Sequence, residues 1–341
     1  MRPSQIVDAL ECLIAAKQPV MLHGSPGVGK SQVVRQLADR LEMEMIDLRL
    51  SQLDPVDLRG VPAVDIKKKE TSWNPPDFLP RDGKGILFLD EINSAPQATQ
   101  AAAYQLVLDR KLGDYELPEG WTIIAAGNRA SDRAIVNQMS TALKNRFTHL
   151  TFDVNLDDWC EWALKNGIAT EVIGFLRFRP MLLNEFEKRA DTEEENTRLQ
   201  RLKDMQAFAT PRSWEFLSNV LAQKPPQELE YELYSGIVGE GAAAEFLGYL
   251  KFYRNMPNLD VILMNPTKAE VPEEPATLYA VSTGLAARAT QDSFERVIAY
   301  ALRLPPEFQV MLVKDAVTRD NTLTNNKAFN NWAVKNADVM Y

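Results

Sequence analysis

Residues 24–31 read GSPGVGKS and fit the pattern G-x-x-x-x-G-K-[ST] at every fixed position. The pattern constrains the chain on both sides of itself. The run of Gly24, Ser25, Pro26, Gly27, Val28 and Gly29 can curl so tightly that successive N–H groups point inward, which suits phosphate oxygens. Such a curl needs a strand leading in and a helix leading out, whose positive dipole end adds to the field. PVMLH before the run and SQVVRQLADRLE after it have those characters. Lys30 can then neutralise β- and γ-phosphates, and the Ser31 hydroxyl can ligate Mg²⁺. An ordinary glycine turn is the plain alternative.

As far as about residue 153 the chain supplies the sheet that such a loop requires. MIDLRL, GILFLD, WTIIAAGN and HLTFDV join PVMLH as strand candidates. Their nearly continuous apolar character predicts strands covered on both faces, as in a parallel α/β sheet. SQVVRQLADRLE and PQATQAAAYQLVLDR are helical stretches between them, which gives a doubly wound order. Residues 53–85, rich in Pro, Gly and charge, predict a short helix interrupted by a loop or hairpin insertion. The opening MRPSQIVDALECLIAAKQ reads as an amphipathic helix rather than a signal peptide, because Asp8 and Glu11 interrupt its apolar pattern. Beyond about residue 154 the pattern turns helical, with a charged, solvated loop at DTEEENTR and a linker or extended strap at NPTKAEVPEEPATL. No internal repeat is visible.

The run ILFLDEINSAP poses a problem that the glycine loop answers. A stretch bound for the centre of a sheet ends on two adjacent carboxylates, Asp90 and Glu91, and burying such a pair without a cation is costly. In a fold of this kind the acidic end of a neighbouring strand lies beside the loop, where Asp90 can hold Mg²⁺. Glu91, one residue on, is placed to orient and activate a water. Helix capping by either residue is the alternative, although Asn93 and Ser94 already offer a cap before Pro96.

In this order GSPGVGKS, ILFLDE, AAGN and NRF resemble the motifs of an AAA+ ATPase, and the details resemble its MoxR branch. The resemblance covers about residues 1–255 and is most specific in the first 155. It implies a sheet order of 5-1-4-3-2, a small helical lid, Mg²⁺-dependent ATP hydrolysis and a ring of like subunits, usually hexameric. It also implies a protein partner bearing a von Willebrand A-type domain. Residues 1–154 would be the nucleotide-binding core, with an insert at about 54–85 and a hairpin at about 110–121. Residues 155–264 would be the lid, and 265–341 a helical extension with no assigned role.

Carried over position by position, the resemblance makes Asn128 the sensor 1 residue that meets the γ-phosphate and the attacking water; an ordinary turn asparagine is the alternative. Arg146 matches the arginine finger that reaches a neighbouring subunit's nucleotide, with a surface salt bridge as the alternative. Arg212 matches sensor 2, in the first turn of a helix capped by Thr210 and begun by Pro211. MoxR proteins often place proline after the sensor asparagine, whereas Arg129 follows here with Asp132 and Arg133 close behind. These charges are candidates for bridging subunits, and Arg129 or Arg133 for a share of the trans-acting role. Trp73 and Tyr115 read as packing residues, with contact to a substrate or partner as the alternative. Lys67 to Lys69 read as a solvated hairpin tip.

Composition narrows the field. A net charge of −9 disfavours broad electrostatic capture of nucleic acid, and no run approaches the roughly 18 apolar residues of a membrane span. Cys12 and Cys160 have no partner spacing and are expected to be buried, reduced thiols of a cytoplasmic protein. His23 and His149 lack a second histidine or carboxylate at ligand spacing and read as packing or hydrogen-bonding residues. The leading expectation is an ATP-hydrolysing ring that remodels a protein client. A DNA motor or loader, and a nucleotide-gated scaffold with little hydrolysis, are the alternatives.

Overall fold

The computed structural model describes residues 1–129, 139, 141–185 and 206–336. Asp132, Arg133 and the DTEEENTR stretch lie outside the described residues, as does most of TRLQRLKDMQAFA (197–209), which reads as a helix; its described end, 206–209, is not helical. Contacts divide the chain into two compact units, Met1–Asn155 and Leu156–Tyr341.

The first unit runs α1 (Pro3–Ala15), β1 (Val20–His23), α2 (Lys30–Arg40), β2 (Glu44–Arg49), α3 (Pro55–Arg59), β3 (Val61–Asp65) and β4 (Glu70–Asn74). It continues with β5 (Gly85–Asp90), α4 (Gln97–Asp109), β6 (Lys111–Leu112), β7 (Tyr115–Glu116), β8 (Trp121–Gly127), α5 (Thr141–Lys144) and β9 (Thr148–Thr151). Five strands form one all-parallel sheet in the order β2-β5-β8-β1-β9. Numbered among themselves along the chain, they read 5-1-4-3-2 from the β9 edge, the expected order.

Strand alternation sends neighbouring residues to opposite faces, and both faces are covered. Val20, Leu22, Ile86, Phe88, Ile124 and Ala126 pack with Ile6 and Leu10 of α1 and with Val33, Val34 and Leu37 of α2. Met21, Leu87, Leu89, Ile123 and Ala125 pack on the other side with Ala102, Ala103 and Leu106 of α4. Burial of each large side chain here contributes about 1.5–3 kcal/mol. Coverage is incomplete at the sheet's edges: β2 leaves Glu44, Asp47 and Arg49 exposed and β9 leaves alternate positions open, whereas β8 is buried throughout.

Residues 53–85 contain α3 and the antiparallel hairpin β3–β4, whose register pairs Val61 with Asn74. A second hairpin, β6–β7, pairs Leu112 with Tyr115. The backbone N–H of Trp73 donates to Asp114 at 2.8 Å, joining the two hairpins. Tyr115 is buried and its hydroxyl donates to the Pro80 carbonyl at 2.6 Å, so this residue packs rather than faces a partner.

The second unit is helical: α6 (Leu156–Lys165), α7 (Thr170–Phe178), α8 (Pro211–Ala222), α9 (Gln227–Val238), α10 (Glu240–Arg254), α11 (Leu259–Met264), α12 (Pro275–Arg288), α13 (Phe294–Ala301), α14 (Pro306–Arg319) and α15 (Lys327–Lys335). Gly239, at φ 86°, breaks α9 from α10. Arg177 of α7 grips the buried Asp315 of α14 through two N–H···O bonds, one of them 2.6 Å. That pair ties the segment before residue 264 to the one after it. A buried bidentate pair has its charges matched, and loss of either partner strands the other at a cost of several kcal/mol.

Two expectations need correction. Cys160 is buried, but Cys12 is exposed; α1 buries the face of Ile6 and Leu10, and Cys12, two residues past Leu10, turns away from it. The cap for α4 does not come from Asn93 or Ser94, because the helix begins at Gln97 with Pro96 in the cap position and no side-chain cap bond. Among the described residues no helix is long and apolar enough to cross a membrane.

Candidate functional site

A parallel sheet delivers the residues that follow its strands to one edge. There the loop after β1 meets the ends of β5 and β8. The Gly24 N–H donates to the Gly127 carbonyl at 3.3 Å. Gly27 and Gly29 sit at φ 74° and 99°, conformations in which a side chain would be strained. Lys30, the first residue of α2, is buried and folds its ammonium back to the Gly24 carbonyl at 2.8 Å, the Ser25 carbonyl at 3.0 Å and Asn128 Oδ1 at 3.5 Å. Ser31 follows it in the first turn of α2. The Lys30 bonds bring the loop and the end of β8 together.

Asp90 ends β5 and accepts the Glu91 N–H at 2.9 Å. Burial raises its pKa; the Glu91 N–H and Lys30 oppose that shift, and Asp47 and Glu91 add to it. Burial thus outweighs the Lys30 charge and the Glu91 N–H at this carboxylate. Glu91 adopts φ 56°, a left-handed conformation that costs a residue with a side chain about 1–2 kcal/mol and turns it sharply out of the strand. Its carboxylate accepts a hydrogen bond from the Ser51 hydroxyl, supplied by the turn after β2.

Asn93 has the role that the capping expectation missed. Its amide nitrogen donates to the Asn128 carbonyl at 2.7 Å, and its Oδ1 accepts the Asn128 N–H at 3.2 Å. One carboxamide thus pairs with a backbone as a strand would, clamping the β5 end to the β8 end. The clamp needs Gly127, since a Cβ there would lie 2.3 Å from Asn93 Oδ1. Ser51 and Asn93 were not visible as site residues because each is a common loop residue until the fold places it.

Other predicted residues lie elsewhere. Arg146 follows α5 and is exposed two residues before β9, where the Thr148 N–H bonds to the Pro19 carbonyl. That is the starting edge of the strands, opposite the loop, so the chain does not bring Arg146 to its own Lys30 or Glu91. The Arg129 guanidinium is engaged within its own chain, donating to the Phe152 carbonyl and to Asp153 at 3.1 Å. Arg212 belongs to the second unit, exposed in the first turn of α8, whose cap Thr210 accepts the Ser213 N–H at 3.1 Å.

The two histidines find each other. His23 Nε2 and His149 Nδ1 are 2.8 Å apart, and His149 Nε2 is 2.7 Å from the Lys144 carbonyl. A carbonyl only accepts, so in the neutral pair His149 donates to Lys144 from Nε2 and accepts the His23 Nε2 proton at Nδ1. Sequence spacing could not reveal this, since 126 residues separate them. His23 has its pKa lowered from 6.5 to about 4, first by burial and then by the charges of His149, Lys30, Arg129 and Lys144. Between those values the unfolded chain binds the extra proton and the folded chain does not, so stability rises with pH across the window. We expect the urea midpoint to fall as pH drops from neutrality into that window, and His23→Asn to flatten the slope.

A family model, the AAA domain of the dynein-related subfamily, matches residues 19–147. The chain is 29% identical over 157 residues to Protein CbbQ of Hydrogenophilus thermoluteolus, covering 43% of this chain and 57% of that protein. It is 27% identical over 143 residues to the denitrification regulatory protein NirQ of Pseudomonas aeruginosa, covering 40% and 54%. These matches span about half the length of those relatives. Solved structures similar to the chain include RuvB of Thermotoga maritima, at 16% identity and TM-score 0.40 over 88% of each chain. NtrX of Brucella abortus, in complex with ATP, gives 14% identity and TM-score 0.40 over 99% of this chain and 68% of that one. Family model and sheet order together identify residues 19–147 as an AAA domain, and the curated relatives CbbQ and NirQ, to which the chain is similar, belong to the MoxR-like branch.

Proposed function

We propose that the chain is a cytoplasmic, Mg²⁺-dependent ATPase that works as a homo-oligomeric ring, hexameric in its working form, and remodels a protein client with a von Willebrand A-type partner. The single observation that carries the reading is the meeting of Lys30, Asn128 and the Asp90–Glu91 pair at one edge of the sheet. The residues fit a bound nucleotide and metal. The buried Ser25 hydroxyl has no hydrogen-bond partner among the described residues, and Asp90 carries an uncompensated burial cost. Ser31 and Asp90 would hold Mg²⁺, which when bound neutralises charge on the phosphates.

In this reading the loop amides of residues 24–31 and the Lys30 ammonium bind the β- and γ-phosphates. Glu91 orients a water and takes its proton as the water oxygen bonds to the γ-phosphorus and the bond to the β-phosphate oxygen breaks. Asn128 holds the γ-phosphate and that water, with its own backbone fixed by Asn93. Ser51 holds the Glu91 carboxylate in place. Arg146, on the far edge, serves the nucleotide of a neighbouring copy, and Arg212 contacts the phosphates from the helical unit. Residues 155–264 act as the lid and 265–341 as an extension built against it.

Nucleotide binding tests the reading. Lys30→Ala should weaken ATP binding by about tenfold or more, the worth of a charge-assisted bond to phosphate. Fluorescent-nucleotide titration reads it, and an unchanged affinity would remove Lys30 from the site.

A further inference from the structure

The starting edge of the sheet holds a pocket separate from the glycine loop. Its volume is about 270 Å³, and its lining includes Lys17, Pro19, Val107, Arg110, Thr122 and Arg146. Three of these are cations, and no carboxylate lines the pocket. Among the described residues none of Lys17, Arg110 and Arg146 makes an ion pair, in a chain whose net charge is −9. Like charges gathered at one concavity repel, and apolar walls such as Val107 and Pro19 strengthen the repulsion.

Arg110 is held there rather than left to wander. It terminates α4 in the left-handed conformation, φ 56°. Its Nη2 donates to the Pro118 and Trp121 carbonyls, each at 2.8 Å. The rest of its N–H groups have no acceptor among the described residues. Lys17 also sits at a fixed turn, φ 54°, between α1 and β1. The pocket thus combines a guanidinium fixed by two backbone bonds with two exposed cations, an arrangement suited to an oxyanion.

We propose that Lys17, Arg110 and Arg146 form one phosphate-binding pocket in which Lys17 and Arg110 act beside Arg146. Two sources can supply the phosphate: the nucleotide of a neighbouring copy, or free phosphate in solution. The first source rests on the proposed trans role of Arg146, whereas anion binding itself does not. Arg110 also closes the base of the β6–β7 hairpin, so an anion drawn to it bears on the hairpin's anchor.

The test uses the full chain carrying Lys30→Ala, which takes the ammonium out of the glycine loop, with pyrophosphate as the calorimetric probe. We expect Lys17→Gln and Arg146→Gln each to weaken pyrophosphate binding by about tenfold. Both positions are exposed, so folding is retained, and the circular dichroism spectrum checks it; Arg110→Gln is read only where that spectrum is unchanged. Pyrophosphate binding that Lys17→Gln and Arg146→Gln leave intact overturns the pocket.

A second arm identifies the source. A chain with Lys17→Gln and Arg146→Gln is mixed with the Lys30→Ala chain; if the pocket serves a neighbour's nucleotide each is inactive alone, whereas a double variant that turns over ATP by itself points to free phosphate. Turnover regained on mixing assigns the pocket to a neighbour's nucleotide. Pyrophosphate binding at the pocket without regained turnover assigns it to free phosphate. A wild-type chain with no ATP turnover would end the proposed function and leave the pocket to be judged by the calorimetry.

Discussion

Replacing Glu91 by Gln is expected to lower ATP turnover by about a hundredfold or more while ATP stays bound, since a positioned general base contributes on that scale. The substitution keeps the shape of the side chain and removes only its capacity to take a proton. Ser51 can still donate to the amide oxygen of a glutamine, so the side chain keeps its anchor. The groups that would hold the phosphates are untouched: Lys30 bonds the loop carbonyls and Asn128. Steady-state turnover and fluorescent-nucleotide affinity, measured on the same preparation, separate the two effects. Turnover within a fewfold of wild type would take the base role away from Glu91.

Arg146→Ala is expected to cost about a thousandfold in turnover, the lower end of what an arginine supplied in trans contributes. Arg146 lies at the edge of the sheet where strands begin, while Lys30, Asp90 and Asn128 lie where strands end. A guanidinium so placed cannot serve its own loop, so its effect must depend on assembly. The specific activity of the wild-type chain should therefore rise with protein concentration, and that of the variant should stay low at every concentration. Binding of ATP to the isolated subunit should not change. A concentration-independent wild-type rate, matched by the variant, would leave Arg146 with no part in catalysis.

Much of this was legible in the sequence, for physical reasons that differ between residues. The glycine loop and its flanking elements could be read because a tight curl between strand and helix needs particular residue types at fixed spacing. Five apolar runs gave the sheet because a parallel sheet covered on both faces demands them, and only the half-open edges β2 and β9 depart from that pattern. Asp90 and Glu91 could be picked out because charge at the end of a buried run is costly.

What stayed hidden was long-range. Asn93 looked like a cap because asparagine before a proline usually is one; the fold instead spends its amide on the backbone of Asn128, 35 residues away. Ser51 bonds Glu91 across 40 residues, and no spacing rule connects a serine after one strand to a glutamate after another. The His23–His149 pair arises from the parallel register of β1 and β9, which sets Val20 opposite Thr148. Cys12 was misjudged for a simpler reason, since helical phase rather than residue type decides which face of α1 is buried.

The most direct trial of the central claim is a crystal structure of the full chain grown with Mg²⁺ and a non-hydrolysable ATP analogue. The triphosphate is expected to curl against residues 24–31, with the Lys30 ammonium moved from the Gly24 carbonyl onto phosphate and the metal held by Ser31 and Asp90. A triphosphate bound away from that edge, with Lys30 still on its own loop, would contradict it.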